Sequence, residues 1–161
     1  MPRRLLRDGE VVVDEWRTLS EATDDADSPL TLTLDQWLTD RERWIAHGGR
    51  LGVILAPQHK VEMLAADLAR FSLVAAEFSG PSEGRGYTQG RLLRERWLFS
   101  GELRATGSIG RDQIFFLARC GFNSFELPDG EIEKAAAAFS TFSAAYQPSN
   151  DAGLPAPLRH R

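Results

Sequence analysis

The chain has 161 residues, 42% of them hydrophobic and 26% charged, a balance that suits one soluble globular domain with a core of its own. Nineteen basic residues against 23 acidic ones leave a formal net charge of -4, which argues against nucleic-acid binding driven by phosphate neutralisation. A single cysteine, Cys120, excludes an internal disulfide framework and a cysteine-held iron–sulfur cluster, and neither a secretory leader nor a membrane-spanning apolar run is present, so a cytoplasmic protein is expected.

Taken in chain order, LLRDGEVVVDEW sets Asp8-Gly9 between two apolar runs and predicts a tight hairpin. The acidic stretch TLSEATDDADSP, closed by Pro29, reads as a loop, after which Thr33 and Gln36 have the spacing of a capping box. Leu34, Trp37, Leu38, Arg41 and Ile45 then follow helical spacing. Short apolar runs next alternate with amphipathic segments: a strand over 51–56 with a helical face of Val61, Leu64, Ala65 and Leu68, and a strand over 72–78 with Tyr87, Gly90, Leu93 and Trp97. A strand over 102–106 is followed by Ile114, Leu117 and Ala118, and a strand over 123–127 by Ile132, Ala135, Ala136, Phe139, Phe142 and Tyr146.

This alternation predicts an α/β fold, a mainly parallel sheet of four consecutive βα units with an N-terminal hairpin and helix. The chain is too short for a full eight-unit barrel, so a half-TIM-barrel-like or open sheet is expected, with ligands at the carboxyl ends of its strands. Residues 1–146 form the single domain, divided into hairpin and loop (1–32) and helix plus βα units (33–146). The proline-rich tail 147–161 reads as disordered.

Two strand-to-helix corners are candidate sites. In GPSEGRGYTQG, Gly84 and Gly86 precede a helix whose first N–H groups suit an anion, and Arg85 adds a charged fork. Gly84, Gly86 and Gly90 are one residue too widely spaced for the dinucleotide fingerprint, and no acidic residue closes the next strand. In GELRATGSIGRDQIFFLARCGF, Gly107 allows a sharp exit from the strand, Ser108 is placed as an N-cap, and Arg111, Asp112 and Gln113 open the helix. Asp112 reads either as a working acid or as a clamp that complements the helix dipole and pairs with Arg104 or Arg85. Glu77 and Arg104, charged within apolar strands, suggest an ion pair between neighbouring strands that is either a site or scaffolding.

Other residues favour structural roles. Cys120 reads as a buried inert thiol, and Trp37 and Trp44 as core or interface. His47, His59 and His160 lack ligand spacing, so no metal site is expected. Neither a Gly-x-Ser-x-Gly elbow nor a Walker loop occurs. No cofactor can be read from the residues.

The order EGRGYTQGRLLRERW, GELRATGS, RDQIFFLARCGF, NSFEL resembles a bacterial family of unknown function encoded beside sulfite reductase genes and sometimes labelled an oxidoreductase of sulfite reduction. The shared pattern falls on Glu83, Gly84, Arg85, Gly86, Tyr87, Leu93, Arg94, residues 101–105, 111–113 and 119–122. The family usually has an acid where Ser108 stands, so chemistry carried by that acid is not expected here.

The resemblance implies a role in sulfur assimilation. Three readings follow: an accessory protein of assimilatory sulfite reduction that holds a small anion or sulfite reductase at the strand carboxyl edge; an enzyme with an arginine-lined site in which Asp112 or Glu77 is the acid or base; and a homo-oligomeric scaffold. The binding edge comprises Gly84, Arg85, Gly86, Tyr87, Arg104, Gly107, Ser108, Arg111 and Gln113.

Overall fold

The computed structural model of the protein describes residues 3–22, 28–80 and 84–145, without the side chains of 142–145. The expected tail with its His160, Glu83, Tyr146 and the side chain of Phe142 lie outside the described residues.

Strands β1 (Arg4–Arg7) and β2 (Glu10–Val13) form the expected hairpin, and Asp8 and Gly9 at its turn have φ of 53° and 83°. Two positive angles are what a two-residue turn needs to match the twist of its strands. Of the stretch expected as a loop, residues 23–27 lie outside the described residues; its start closes β3 (Arg17–Thr18) and forms a 3₁₀ turn (Leu19–Glu21), and after Pro29 comes a further strand that was not expected, β4 (Leu30–Thr33). Strand β4 is short, and its last residue is also the N-cap of α1 (Leu34–Thr39), so the helix signal masks it. The capping box forms: Gln36 N donates to Thr33 Oγ1 at 3.1 Å, and Thr33 N to Gln36 Oε1 at 2.9 Å. The helix expected to run on to Ile45 breaks at Asp40, and α2 (Arg41–Ile45) is separate.

The four later strands are β5 (Leu51–Leu55), β6 (Phe71–Phe78), β7 (Glu102–Gly107) and β8 (Ser124–Phe125). Helices α3 (Arg85–Glu95), α4 (Ile114–Arg119) and α5 (Asp129–Ala145) follow the last three of them. Four consecutive βα units do not form, because β5 is followed by 3₁₀ segments, Val61–Met63 and Ala65–Arg70. Val61, Leu64 and Leu68 of the expected apolar face are nonetheless buried there, and Asp67 with them.

The eight strands form one sheet in the order β2-β1-β8-β7-β6-β5-β4-β3, parallel from β8 to β3 and antiparallel where β1 meets β8 and β2. It is a curled half barrel. Its two edge strands, β2 and β3, are joined by only three residues, 14–16. Such a link reaches at most about 14 Å, whereas eight flat strands would separate the edges by about 34 Å. The sheet therefore has to curl. Arg3 clasps the two margins: its guanidinium donates to Trp16 O at 2.8 Å and pairs with Glu21 at 3.3 Å.

Curling gives the sheet two different faces. The helix-covered face carries the main core, with Leu6, Leu32, Val53, Val74, Ala76, Phe78, Leu103, Ala105 and Phe125 under Trp37, Leu64, Leu93, Leu117, Ile132 and Phe139. By strand alternation, Leu5, Leu73, Ala75, Arg104 and Ser124 face the inside of the curl, where they too are buried.

A buried clip ties α1 and α2 to the segment after β5. Trp37 Nε1 donates to Asp67 Oδ2 at 3.0 Å, and the Arg41 guanidinium grips the same carboxylate through Nε and Nη2. Hydrogen bonds from Arg41 hold the Asp67 carboxyl below its ordinary pKa, burial opposes this, and Trp37 adds to it. A carboxylate depressed in the folded state stabilises the fold above its unfolded pKa and loses that contribution as pH falls through the folded value. Asp67→Asn should therefore lower stability by about 1–2 kcal/mol at pH 7, with the deficit shrinking steadily below pH 4. Urea unfolding across that range tests it, and a deficit independent of pH would rule out the linkage.

Candidate functional site

The carboxyl ends of β6 and β7 lead into the two corners singled out by sequence. Gly86 and Gly90 in α3 are buried because phenyl rings press on them: a Cβ on Gly86 would lie 2.5 Å from the Phe78 ring, and one on Gly90 2.4 Å from that of Phe122. These glycines let α3 close on the sheet. Gly107, at φ +88°, would place a Cβ 2.4 Å from Phe78 O, and the next residue, Ser108, donates its backbone N–H to that oxygen at 2.7 Å. Gly84 is exposed, and none of the described residues beyond its chain neighbours comes near its missing Cβ.

Ser108 does not cap the helix. The 3₁₀ turn begins at Arg111 with Gly110 before it, and the Gly110 N–H is satisfied by Gln113 Oε1 at 2.8 Å. The expected cap moves two residues because Ile109 is buried, which draws the chain into the core before the turn can start. Gln113 uses its other end to donate to the Tyr87 hydroxyl at 2.7 Å, joining the two corners. Tyr87 in turn stands edge-on to Phe78, with centroids 5.2 Å apart, and lies 5.0 Å from Phe116 on α4. Phe116 is 54% exposed, so this rigid aromatic pair ends in solvent.

The charged candidates are placed differently. Arg111 is exposed and pairs with Glu131 of α5 at 3.5 Å, while Asp112 and Arg85 are exposed at the starts of their helical segments. Glu77 is exposed beyond Ala75 on the inner face, opposite Thr106. The expected pairing of Glu77 with Arg104 is not the one found. Arg104, 3% exposed, pairs instead with Glu102 at 2.7 Å, Asp14 at 3.3 Å and Glu126 at 3.5 Å, and reaches Ser124 Oγ at 3.3 Å. Burial pulls its pKa down, but Glu102 and Asp14 more than reverse this, and it is held above the ordinary value. A guanidinium matched by three carboxylates is a clamp across the curl and offers little to an incoming anion. Arg104 thus leaves the binding edge.

Sequence reasoning missed Phe116, Asp14, Glu126 and Arg94. Phe116 had a signal: IFFLAR has more large apolar residues than one buried helical stripe accommodates. Arg94 gave none. Its guanidinium donates to the carbonyls of Gly121 at 2.9 Å, Phe99 at 2.7 Å and Gly101 at 2.9 Å, and to Asn123 Oδ1 at 3.3 Å. Cys120 is buried, and burial raises its thiol pKa, so it is a poor nucleophile at neutral pH. His59 Nδ1 accepts from Ala56 N at 3.0 Å, which leaves the proton of the neutral ring on Nε2, 3.9 Å from Asp35. Among the described residues, no three His, Cys, Asp or Glu side chains are grouped to hold a metal, and no helix is long and apolar enough to cross a membrane.

No curated protein matches the chain. A family model described as "Bacterial protein of unknown function (DUF934)" matches residues 52–157, which take in nearly all of β5 and everything through α5, including both corners. The matched span is well over half of the sequence, and the chain belongs to this bacterial family of unknown function.

Proposed function

We propose that the protein is an accessory partner of assimilatory sulfite reduction that docks on sulfite reductase through the outer corner made by α3 and α4. The observation carrying this reading is the exposed Phe116 ring, braced by Tyr87, whose hydroxyl Gln113 holds in place. A fixed aromatic side chain loses little freedom on binding, and aromatic and arginine side chains dominate the energetics of protein interfaces. Arg91, one turn along α3 from Tyr87, and Arg119, one turn along α4 from Phe116, are both exposed, as is Arg85, with Glu95 and Asp112 interspersed. The link to sulfite reduction comes from the motif resemblance carried by these same two corners. A partner surface suits the corner better than a small anion does, because Arg104 is committed to carboxylates and Arg111 faces Glu131.

Tagged full-length chain should retain purified sulfite reductase on a column, and Phe116→Asp should weaken retention by tenfold or more, the loss expected for an interface hot spot. A strain lacking the gene should grow slowly with sulfite as its sulfur source. Failure of the native chain to retain the reductase, or equal retention by Phe116→Asp, overturns the proposal.

A further inference from the structure

Strand β2 ends the sheet with an open edge. Among the described residues it pairs with β1 alone, in the register Arg7↔Glu10, Leu6↔Val11, Leu5↔Val12 and Arg4↔Val13. Just beyond, the Asp14 N–H donates to Arg3 O at 2.7 Å. Main-chain groups of alternate residues in an antiparallel pair point to opposite sides, so those of Val12 and Asp14 face β1, and those of Val11 and Val13 face away from it. Among the described residues nothing accepts or donates there. The side chains of the same two valines are 36% and 57% exposed. Strand β2 has no lysine, no proline and no bulge on its edge, and its one charged residue, Glu10, stands at the start of the strand, clear of the valines.

We infer that two copies of the chain associate by pairing β2 with β2 in antiparallel fashion about a two-fold axis at Val12. The run Val11-Val12-Val13 reads the same in both directions, so this two-fold register sets valine against valine at all three positions. In this register Val11 and Val13 of one copy exchange both hydrogen bonds with Val13 and Val11 of the other. The two Val12 residues face each other as a pair without hydrogen bonds. Glu10 of one copy comes opposite Asp14 of the other, but the Asp14 carboxylate is buried and held by Arg104 and Arg3, so the two acids do not confront one another unmatched. The other margin of the sheet cannot serve in the same way, because β3 has two residues and runs directly into a 3₁₀ turn.

Light scattering of the full chain over rising concentration should approach twice the 17.9 kDa of one copy. Val13→Pro removes an outward N–H and leaves the donors to β1 untouched, and Val11→Lys places a charge on the edge; each should hold the protein at the mass of a single copy. Should the proline variant fail to fold, the lysine variant decides. Register is read separately: facing residues of this kind have Cα atoms about 4.5 Å apart, close enough for a disulfide. Val12→Cys should therefore cross-link two chains under oxidised glutathione, while the buried Cys120 stays reduced. A single-copy mass at all concentrations, larger open-ended species, a dimer indifferent to both edge variants, or a dimer that Val12→Cys does not cross-link would each overturn the inference.

Discussion

Truncating Arg104 to alanine is expected to lower folding stability by about 3–5 kcal/mol. The side chain is 4% exposed, and its partners Asp14 and Glu102 are 2% and 11% exposed, so removing the guanidinium leaves carboxylates buried without their counter-charge. Arg7 and Arg3 cover only part of that deficit, pairing with Glu102 at 3.3 Å and with Asp14 at 3.7 Å. The loss arises from stranded acids more than from attraction foregone, and this has a consequence of its own. Arg104→Met combined with Asp14→Asn and Glu102→Gln should recover much of the stability that Arg104→Met alone removes, since neutralising a whole buried cluster is far less costly than breaking it. Urea unfolding of the variants measures both effects. A single variant within about 0.5 kcal/mol of the native chain would class Arg104 with ordinary surface residues and remove the clamp.

Arg94→Ala is the second large effect, expected at about 3–4 kcal/mol. Its four hydrogen bonds all go to uncharged oxygens, so here the cost is loss of donors. Burial pulls the guanidinium pKa down to about 10, with Asp8 opposing, and the group stays charged at neutral pH. It joins the end of α3, the approach to β7 and the turn before β8. Asn123 extends the link: its Oδ1 also accepts from Leu103 N at 2.8 Å, and its Nδ2 donates to Asp8 Oδ1 at 3.2 Å. Hydrogen exchange should accelerate at Leu103 in Arg94→Ala before it does in β5. Arg94→Lys should recover less than half of the loss, because an ammonium cannot span the same acceptors as a planar fork. Full rescue by lysine would mean that charge alone matters at this position.

Both residues lie within the motifs that carry the family resemblance, GRLLR and GELRA, and both turn out to hold the scaffold. That changes how the candidate site is read. Gly86 and Gly90 of GRGYTQG admit phenyl rings of the core, and the arginine expected at the binding edge is locked inside the curl. What the two corners present to solvent is the Phe116 ring packed on Tyr87, with exposed arginines around it.

Features with local causes were legible from sequence alone. Asp8-Gly9 needs only its own backbone preference to make a turn, Thr33 and Gln36 need only each other to cap α1, and the apolar runs of β5, β6 and β7 declare themselves within six or eight residues. That the sheet is mainly parallel follows from their alternation with helical segments, whereas the choice between a half barrel and an open sheet did not. Strands β3 and β4 were hidden, since two and four residues are too few to show a period.

What only the tertiary structure decided are meetings between distant parts of the chain. Asp14 and Arg104 are separated by 90 residues and touch because the three-residue link between β2 and β3 forces the sheet to curl. Gly86 reads in the sequence as part of an anion cradle, and the structure sets the Phe78 ring against it instead. Backbone propensity acts over a few residues, so a sequence can state it directly. Burial, charge pairing and close approach depend on distances that exist only once the chain has closed.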